Sequence, residues 1–235
     1  MDLQKILFLD IETVPQVKNY EKIPERLKSL WNHKAGFLAK NVEDTPESLY
    51  DRAGIYAEFG KIICISVGFL HHQDNKHHLR LKSYYGDDEA KVLKDFKKLL
   101  ENHFNTNQHL LCGHNAKEFD FPYLCRRMLV HGIQIPNILD LSGKKPWEVQ
   151  HLDTMHMWRF GDFKSFTSLD LLAAVFDVPS PKSDISGADV GRVYWEENDL
   201  ERIVEYCQND VVCLVQIFRK LMGMELIEDK YISLV

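Results

Sequence analysis

Three stretches of the chain carry residues whose types and spacing suit chemistry. In Ile6-Leu7-Phe8-Leu9-Asp10-Ile11-Glu12-Thr13-Val14-Pro15, four apolar residues run into two acids. The two-residue period of a strand puts Asp10 and Glu12 on one face where that strand ends. Two carboxylates held side by side repel and raise each other's pKa unless something positive sits between them, and a divalent cation with oxygen ligands is the usual remedy. The competing reading is a buried strand that leaves the core through two solvated acids. The second stretch is Cys112-Gly113-His114-Asn115-Ala116-Lys117-Glu118-Phe119-Asp120-Phe121-Pro122, with Asp120 just beyond a strand that ends in a glycine turn. Open α/β sheets gather functional groups there, although helix capping by Asn115 or Asp120 explains the same residues. The third is a helix over 199–222, where Tyr206 and Asp210 sit one turn apart at the border of an apolar stripe. Taken alone, that pair also fits a solvated acid beside a packed tyrosine.

The elements that must position these residues are legible from periodicity. Lys61 to Leu70 reads as a buried strand and His77 to Tyr84 as a half-exposed one, so the two predict a hairpin. The pairs His71-His72 and His77-His78 flank its polar turn, a surface hairpin and not a metal cluster. Asp87-Asp88-Glu89 opens an amphipathic helix that ends near His103. A short strand follows over His109 to Cys112, then a helix from about Phe119 to Gly132, then a short strand over Val149 to Leu152. Between the first two strands, residues 16 to 58 predict a mostly helical insert, with helical spacing from Tyr20 to Leu38 and a later helix start at Pro46-Glu47. The order argues for an α/β sandwich with a mixed sheet in one domain over 1–235. Ser180 to Gly187 reads as a loop.

Composition bounds the rest. The 235 residues are 45% hydrophobic and 27% charged, an ordinary globular balance. No apolar run approaches the roughly 20 residues of a membrane span, and the first residues lack the pattern of a secretory signal, so the expectation is a cytoplasmic protein that meets no membrane. The five cysteines form no C-x-x-C pair and read as reduced core residues. A net charge of -6 argues against a protein that coats nucleic acid, but not against an enzyme with a local basic track. Such a track is offered by residues 16–42, where Lys18, Lys22, Arg26, Lys28, Lys34 and Lys40 face only Glu21 and Glu25. It reads either as a solvated helix face or as an arm that guides substrate. The aromatic residues Trp158, Phe160, Phe163 and Phe166 are expected to pack in the core, with base stacking as the alternative.

In combination the three stretches are far more specific. Asp-x-Glu-Thr on a first strand, Asn-x-x-x-Phe-Asp in the middle and Tyr-x-x-x-Asp on a late helix resemble the three motifs of the four-carboxylate (DEDD) 3'-5' exonucleases, in their tyrosine branch. The second motif, followed by Pro122-Tyr123-Leu124, is similar to that of the proofreading domain of family B DNA polymerases. Glu58-Phe59-Gly60-Lys61-Ile62, Asp153-Thr154-Met155 and Lys164-Ser165-Phe166-Thr167-Ser168-Leu169 add to the likeness, which is strongest to stand-alone predicted exonucleases related to that domain.

The resemblance covers residues 5–222 and implies a ribonuclease H-like fold with a five-stranded mixed sheet and helices on both sides. It implies two Mg²⁺ or Mn²⁺ ions, with Asp10 bridging both, Glu12 and Asp210 completing one site and Asp120 holding the other. Tyr206 would orient the attacking water, since a phenol with a pKa near 10 is a poor base at neutral pH. Thr13 would seat the terminal nucleotide, with Asn115 and Phe119 in support, and Lys164, Arg126 and Arg127 are candidates for phosphate contacts. The implied substrate is a single-stranded 3' end, DNA ahead of RNA, with any polymerase or repair partner a separate chain. A non-catalytic binding module and an endonuclease of the wider ribonuclease H-like group are the rival readings.

Overall fold

The computed structural model describes residues 1–179 and 184–235. Six strands form one mixed sheet: β1 (Ile6–Pro15), β2 (Gly60–Gln73), β3 (Lys76–Tyr85), β4 (Leu110–Gly113), β5 (Leu152–Asp153) and β6 (Ile232–Leu234), in the order β5-β4-β1-β2-β3-β6. The meander β1-β2-β3 is antiparallel, while β4 joins β1, β5 joins β4 and β6 joins β3 in parallel. The sheet therefore has one strand more than the five expected. The addition is β6, three residues at the end of the chain, too short to show a period of its own. The strand expected over 149–152 is reduced to two residues.

Alternation along β1 divides the core. Leu7, Leu9 and Ile11 face the layer of α2 (Glu89–His103) and α3 (Asp120–Val130), against Phe96, Phe121 and Leu124. Ile6 and Phe8 face the long helix that closes the chain, which supplies Val211, Leu214, Val215 and Phe218. The Phe8 and Phe218 rings meet edge to face at 5.2 Å. Asp10 and Glu12 continue the Ile6–Phe8 face, so two acids follow two fully buried apolar residues under the same helix.

The segment between β1 and β2 carries α1 (Glu25–Leu38) and a 3-10 turn over Tyr50–Ile55. It folds around Trp31, which is buried against Tyr50 and Phe59 and donates Nε1–H to the Pro46 carbonyl at 2.7 Å. The helix start read at Pro46-Glu47 is a turn that leads into the 3-10 segment. The His pairs lie across the β2–β3 hairpin, His71 opposite His78 and His72 opposite His77, with Asp74 and Asn75 at φ of 51° and 59° in the two-residue turn. After β5 come α4 (Thr154–Arg159), α5 (Leu169–Val175), α6 (Val190–Arg192), a π-helical turn over Val193–Glu197 and α7 (Leu200–Leu221). Residues 180–183 of the loop read from Ser180 to Gly187 lie outside the described residues. Among the described residues, no helix is long and apolar enough to cross a membrane.

Candidate active site

The four acids arrive on three elements. Asp10 and Glu12 come from the middle of β1, which does not end at the acids as expected but runs on to Pro15, with a shift of its pairing to β2 between Glu12 and Thr13. Asp120 is the first residue of α3. The path to it starts at Gly113, where a Cβ would collide with Ala116, and passes through Asn115 in the left-handed region at φ 60°. The Asp153 carboxylate holds that turn from below, accepting Asn115 N–H and Lys117 N–H at 3.0 Å each. Asp210 and Tyr206 come from α7, and Asp199 caps that helix by accepting Arg202 N–H.

Together they make a cluster of largely buried acids. Glu12 and Asp120 are buried, while Asp10, Tyr206 and Asp210 are half-buried. Burial and then the charges of Asp120 and Asp210 push Asp10 well above the usual carboxylate range. Burial, Asp10 and Asp210 do the same to Glu12. Burial lifts Asp120 to about 7 and Asp210 to about 6, the latter held down by a hydrogen bond from Tyr206. Tyr206 is itself pushed far up by burial and by Asp210, Glu12 and Asp10. The four acids and the tyrosine singled out by spacing are thus brought within electrostatic reach of one another. The salt bridges of the described residues pair other acids, such as Glu89 and Glu118, and leave these four without a cationic partner.

At Glu12 the centre meets a cleft of about 680 Å³, lined also by Thr13, Phe119, Lys18, Arg52 and Trp195. Thr13 is hydrogen-bonded to the Tyr123 hydroxyl, which donates to the Gly54 carbonyl at 2.7 Å and so ties the insert to α3. Phe119 is half-buried with its ring 5.4 Å from that of Tyr123. Asn115 Oδ1 is buried without a hydrogen-bond partner, a costly state for a polar atom that a ligand would relieve. Lys164 is exposed on the loop after α4.

Two expectations are corrected. Arg127 does not face solvent: its guanidinium is 2% exposed, with Nε and Nη2 on Glu89 at 2.8 and 2.6 Å and Nη1 on the Ala57 carbonyl at 2.8 Å. It is an internal tie between α3, α2 and the start of β2, closed to phosphate, whereas Arg126 beside it is exposed. Three of the four aromatic residues expected in the core also lie outside it: only Trp158 packs, against Phe176, while Phe160, Phe163 and Phe166 are exposed.

Sequence reading missed Cys207. Its Sγ lies 3.4 Å from Asp10 Oδ2 and 3.5 Å from the Asp10 carbonyl, and with Asp10 and Glu12 it forms a group whose ligand atoms lie within 4.8 Å of one another. Burial first, then Cys64 and Asp10, keep its proton on at neutral pH. In the metal-free chain it is a hydrogen-bond donor to Asp10. The signal available was its place between Tyr206 and Asp210, where it reads as one more member of the apolar stripe.

A family model described as predicted 3'-5' exonucleases related to the exonuclease domain of PolB matches residues 55–233. The chain belongs to this family. A DNA polymerase of Archaeoglobus fulgidus is 26% identical over 155 residues, which are 63% of this chain and 19% of that protein. The family B DNA polymerase of Pyrobaculum calidifontis superposes with a TM-score of 0.54 at 16% identity, over 92% of this chain and 24% of the polymerase. The chain thus spans less than a quarter of the length of these relatives, and its mixed α/β architecture is the ribonuclease H-like one of the polymerase exonuclease domain.

Proposed function

We propose that this chain is a metal-dependent 3'-5' exonuclease that hydrolyses single-stranded DNA ends and releases nucleoside 5'-monophosphates. The observation that carries the reading is the convergence of Asp10, Glu12, Asp120 and Asp210, from three elements, without a cationic partner, with Glu12 opening onto a cleft. A stable fold gains nothing from four such acids, since burial and mutual repulsion both act against them. An all-oxygen donor set of this charge fits hard divalent cations of the Mg²⁺ and Mn²⁺ class. When bound, a pair of such ions neutralises charge on the phosphate, lowers the pKa of the attacking water and stabilises the departing oxygen.

The chain's own residues supply position. Asp10, Glu12 and Asp210 would hold one ion and Asp10 with Asp120 the other, with the Cys207 thiol fixing the rotamer of Asp10 through its hydrogen bond. Tyr206 stands on Asp210 and holds its phenolic proton, so it can orient a water by hydrogen bonding but cannot take a proton from it. Thr13 and Phe119 line the cleft and suit the sugar and base of a terminal nucleotide, and the buried, unpartnered Asn115 Oδ1 supports the turn that delivers Asp120. The test is digestion of matched end-labelled DNA and RNA oligonucleotides with Mg²⁺ or Mn²⁺. Stepwise loss from the 3' end with mononucleotide products is expected, faster on DNA. Loss from the 5' end, cutting of covalently closed circles or inert oligonucleotides would each overturn the reading.

A further inference from the structure

Exposed aromatic rings gather on one loop. Phe160, Phe163 and Phe166 are 88%, 80% and 69% exposed. Phe160 closes α4 with φ at 46°, the left-handed region in which a bulky side chain is strained and glycine is not. Neither the backbone nor the core calls for a ring at that position.

The loop is fastened from beneath. Arg159 is buried; its Nε donates to the Ser165 carbonyl at 2.7 Å, its Nη1 reaches Glu118 at 3.3 Å, and its guanidinium lies 4.5 Å from the centre of the Phe166 ring. His114 Nε2 meets the Thr167 carbonyl at 2.8 Å and His114 Nδ1 meets Thr154 Oγ1 at 2.9 Å. A carbonyl only accepts, so Nε2 carries the proton in that bond. Rings carried on a backbone tied in this way lose little freedom when a ligand settles on them.

The same ties fix where the loop stands. His114 and Glu118 belong to the segment that delivers Asn115 and Asp120, and α5 begins directly after the loop with Asp170, whose charge acts on Asp210. The loop therefore borders the acidic centre, between the segment of Asp120 and the helix of Asp210. Lys164 is exposed between Phe163 and Phe166 and sets a positive charge beside the rings.

We propose that Phe160, Phe163 and Phe166 form a stacking platform for unpaired bases of a nucleic-acid strand whose end lies at the acidic centre, with Lys164 on the phosphates between them. Only the strand polarity rests on the exonuclease reading: the stacked bases are then those a few nucleotides behind the 3' terminus. Flat rings interleaved with a cation beside a phosphodiester site suit single strands of any sequence, since every base offers a π face and a duplex offers none along its length.

The experiment is equilibrium binding of fluorescein-labelled oligothymidylates to the Asp10→Asn chain in Mg²⁺, by anisotropy, with normal strands and with strands made abasic a few nucleotides behind the 3' end. Removing those bases should weaken binding about tenfold or more, on the usual scale of base–aromatic stacking. With Phe160→Ala, Phe163→Ala and Phe166→Ala added, the normal strand should bind as weakly as the abasic one, at an unchanged melting temperature, and Phe→Trp at the same positions should restore the difference. An abasic penalty of the same size in the triple variant overturns the platform. So does a dimer that the triple substitution dissociates without any effect on oligonucleotide affinity, because the rings then cover a second copy of the chain. Hydrolysis is measured separately on the unsubstituted chain. Intact base-dependent binding without hydrolysis overturns the exonuclease reading alone, and hydrolysis without an abasic penalty overturns the platform alone.

Discussion

Asp10 on β1 and Cys207 on α7 meet through a thiol–carboxylate hydrogen bond of 3.4 Å, 197 residues apart in the chain. This contact closes the helix over the strand at the point where two more acids converge on Asp10. Asp10→Asn is expected to abolish hydrolysis with the fold intact, because it removes the charge shared by both proposed cation positions. The same substitution should raise the melting temperature of the metal-free chain, since it relieves repulsion among buried acids. Near-parental turnover in a well-folded variant would sink the assignment of Asp10.

The raised carboxyls predict an unusual dependence of stability on pH. Burial lifts Asp120 to about 7 and Asp210 to about 6, and burial with neighbouring charge drives Asp10 and Glu12 up as well. In the unfolded chain these groups titrate near pH 4. Between roughly pH 4 and 7 these acids therefore hold more protons in the folded chain than in the unfolded one, so their contribution to metal-free stability falls as pH rises. Against it runs the opposite contribution of His71, His77, His109, His114 and His151, whose pKa burial lowers. Mn²⁺ should reverse the trend, stabilising most at the alkaline end, where the acids are ionised. Urea melts at a series of pH values, with chelator or Mn²⁺, check both signs. The contribution of the acids is the difference between the parental chain and Asp10→Asn, and a metal-free difference that does not grow in favour of Asp10→Asn as pH rises from about 5 to 7 would contradict the burial of charge at this centre.

How much of this was legible in the chain depended on whether a local period carries the information. Asp10 and Glu12 were readable because strand alternation puts both on one face whatever the tertiary context, and Tyr206 and Asp210 because a helical turn does the same. Arg127 was not, because its partner Glu89 opens a different helix, and no local pattern separates a buried arginine from a solvated one. The rings of Phe160, Phe163 and Phe166 misled because residue type argues for the core, while the left-handed turn at Phe160 and the buried Arg159 hold their loop outside it. Cys207 was hidden in the apolar stripe of α7, and β6 is recognisable only through its pairing with β3.

The Arg127–Glu89 pair gives a stability prediction that is independent of function. Burial alone would raise the Glu89 carboxyl, but Arg127, the Ile62 N–H and His131 together hold it below its ordinary value. Arg127→Ala leaves a buried carboxylate with much of its compensation gone and should cost on the order of 3–5 kcal/mol. Glu89→Gln combined with Arg127→Met should cost less than Arg127→Ala alone, because no unpaired charge remains. Equal losses in the two variants by urea unfolding would mean that packing, not charge, sets the cost.

The basic insert divides into residues that face the cleft and residues that do not. Lys18 and Arg52 line the cleft beside Glu12 and Thr13, whereas Lys28 and Lys34 lie 4.4 and 4.3 Å over the rings of Tyr20 and Tyr56. Neutralising Lys18 and Arg52 together should weaken oligonucleotide binding and flatten its salt dependence by roughly 0.7 in log–log slope for each phosphate that the chain no longer neutralises. Neutralising Lys28 and Lys34 should leave the slope unchanged. The reverse result would place the strand on the outer face of α1.

Tyr206 and Asp210 are joined by a hydrogen bond on one face of α7, yet they are expected to fail in different ways. Asp210→Ala deletes a proposed ligand and should weaken Mn²⁺ binding, read by the metal concentration needed for half-maximal activity or by calorimetry. Tyr206→Phe keeps the ring and loses only the hydroxyl, so metal affinity should hardly change. If the hydroxyl orients the attacking water, its loss lowers kcat with little effect on KM, because the interaction is made mainly in the transition state. A cost of about 3 kcal/mol in the barrier is the usual size for one such hydrogen bond. The pH profile separates orientation from proton transfer. Burial and the charges of Asp210, Glu12 and Asp10 push the phenol far above its ordinary value, so it stays protonated throughout the working range. The residual activity of Tyr206→Phe should therefore keep the parental pH profile, lowered by the same factor at every pH. A lost alkaline limb would mean that Tyr206 titrates during turnover, and parental kcat would reduce it to a packing residue on α7.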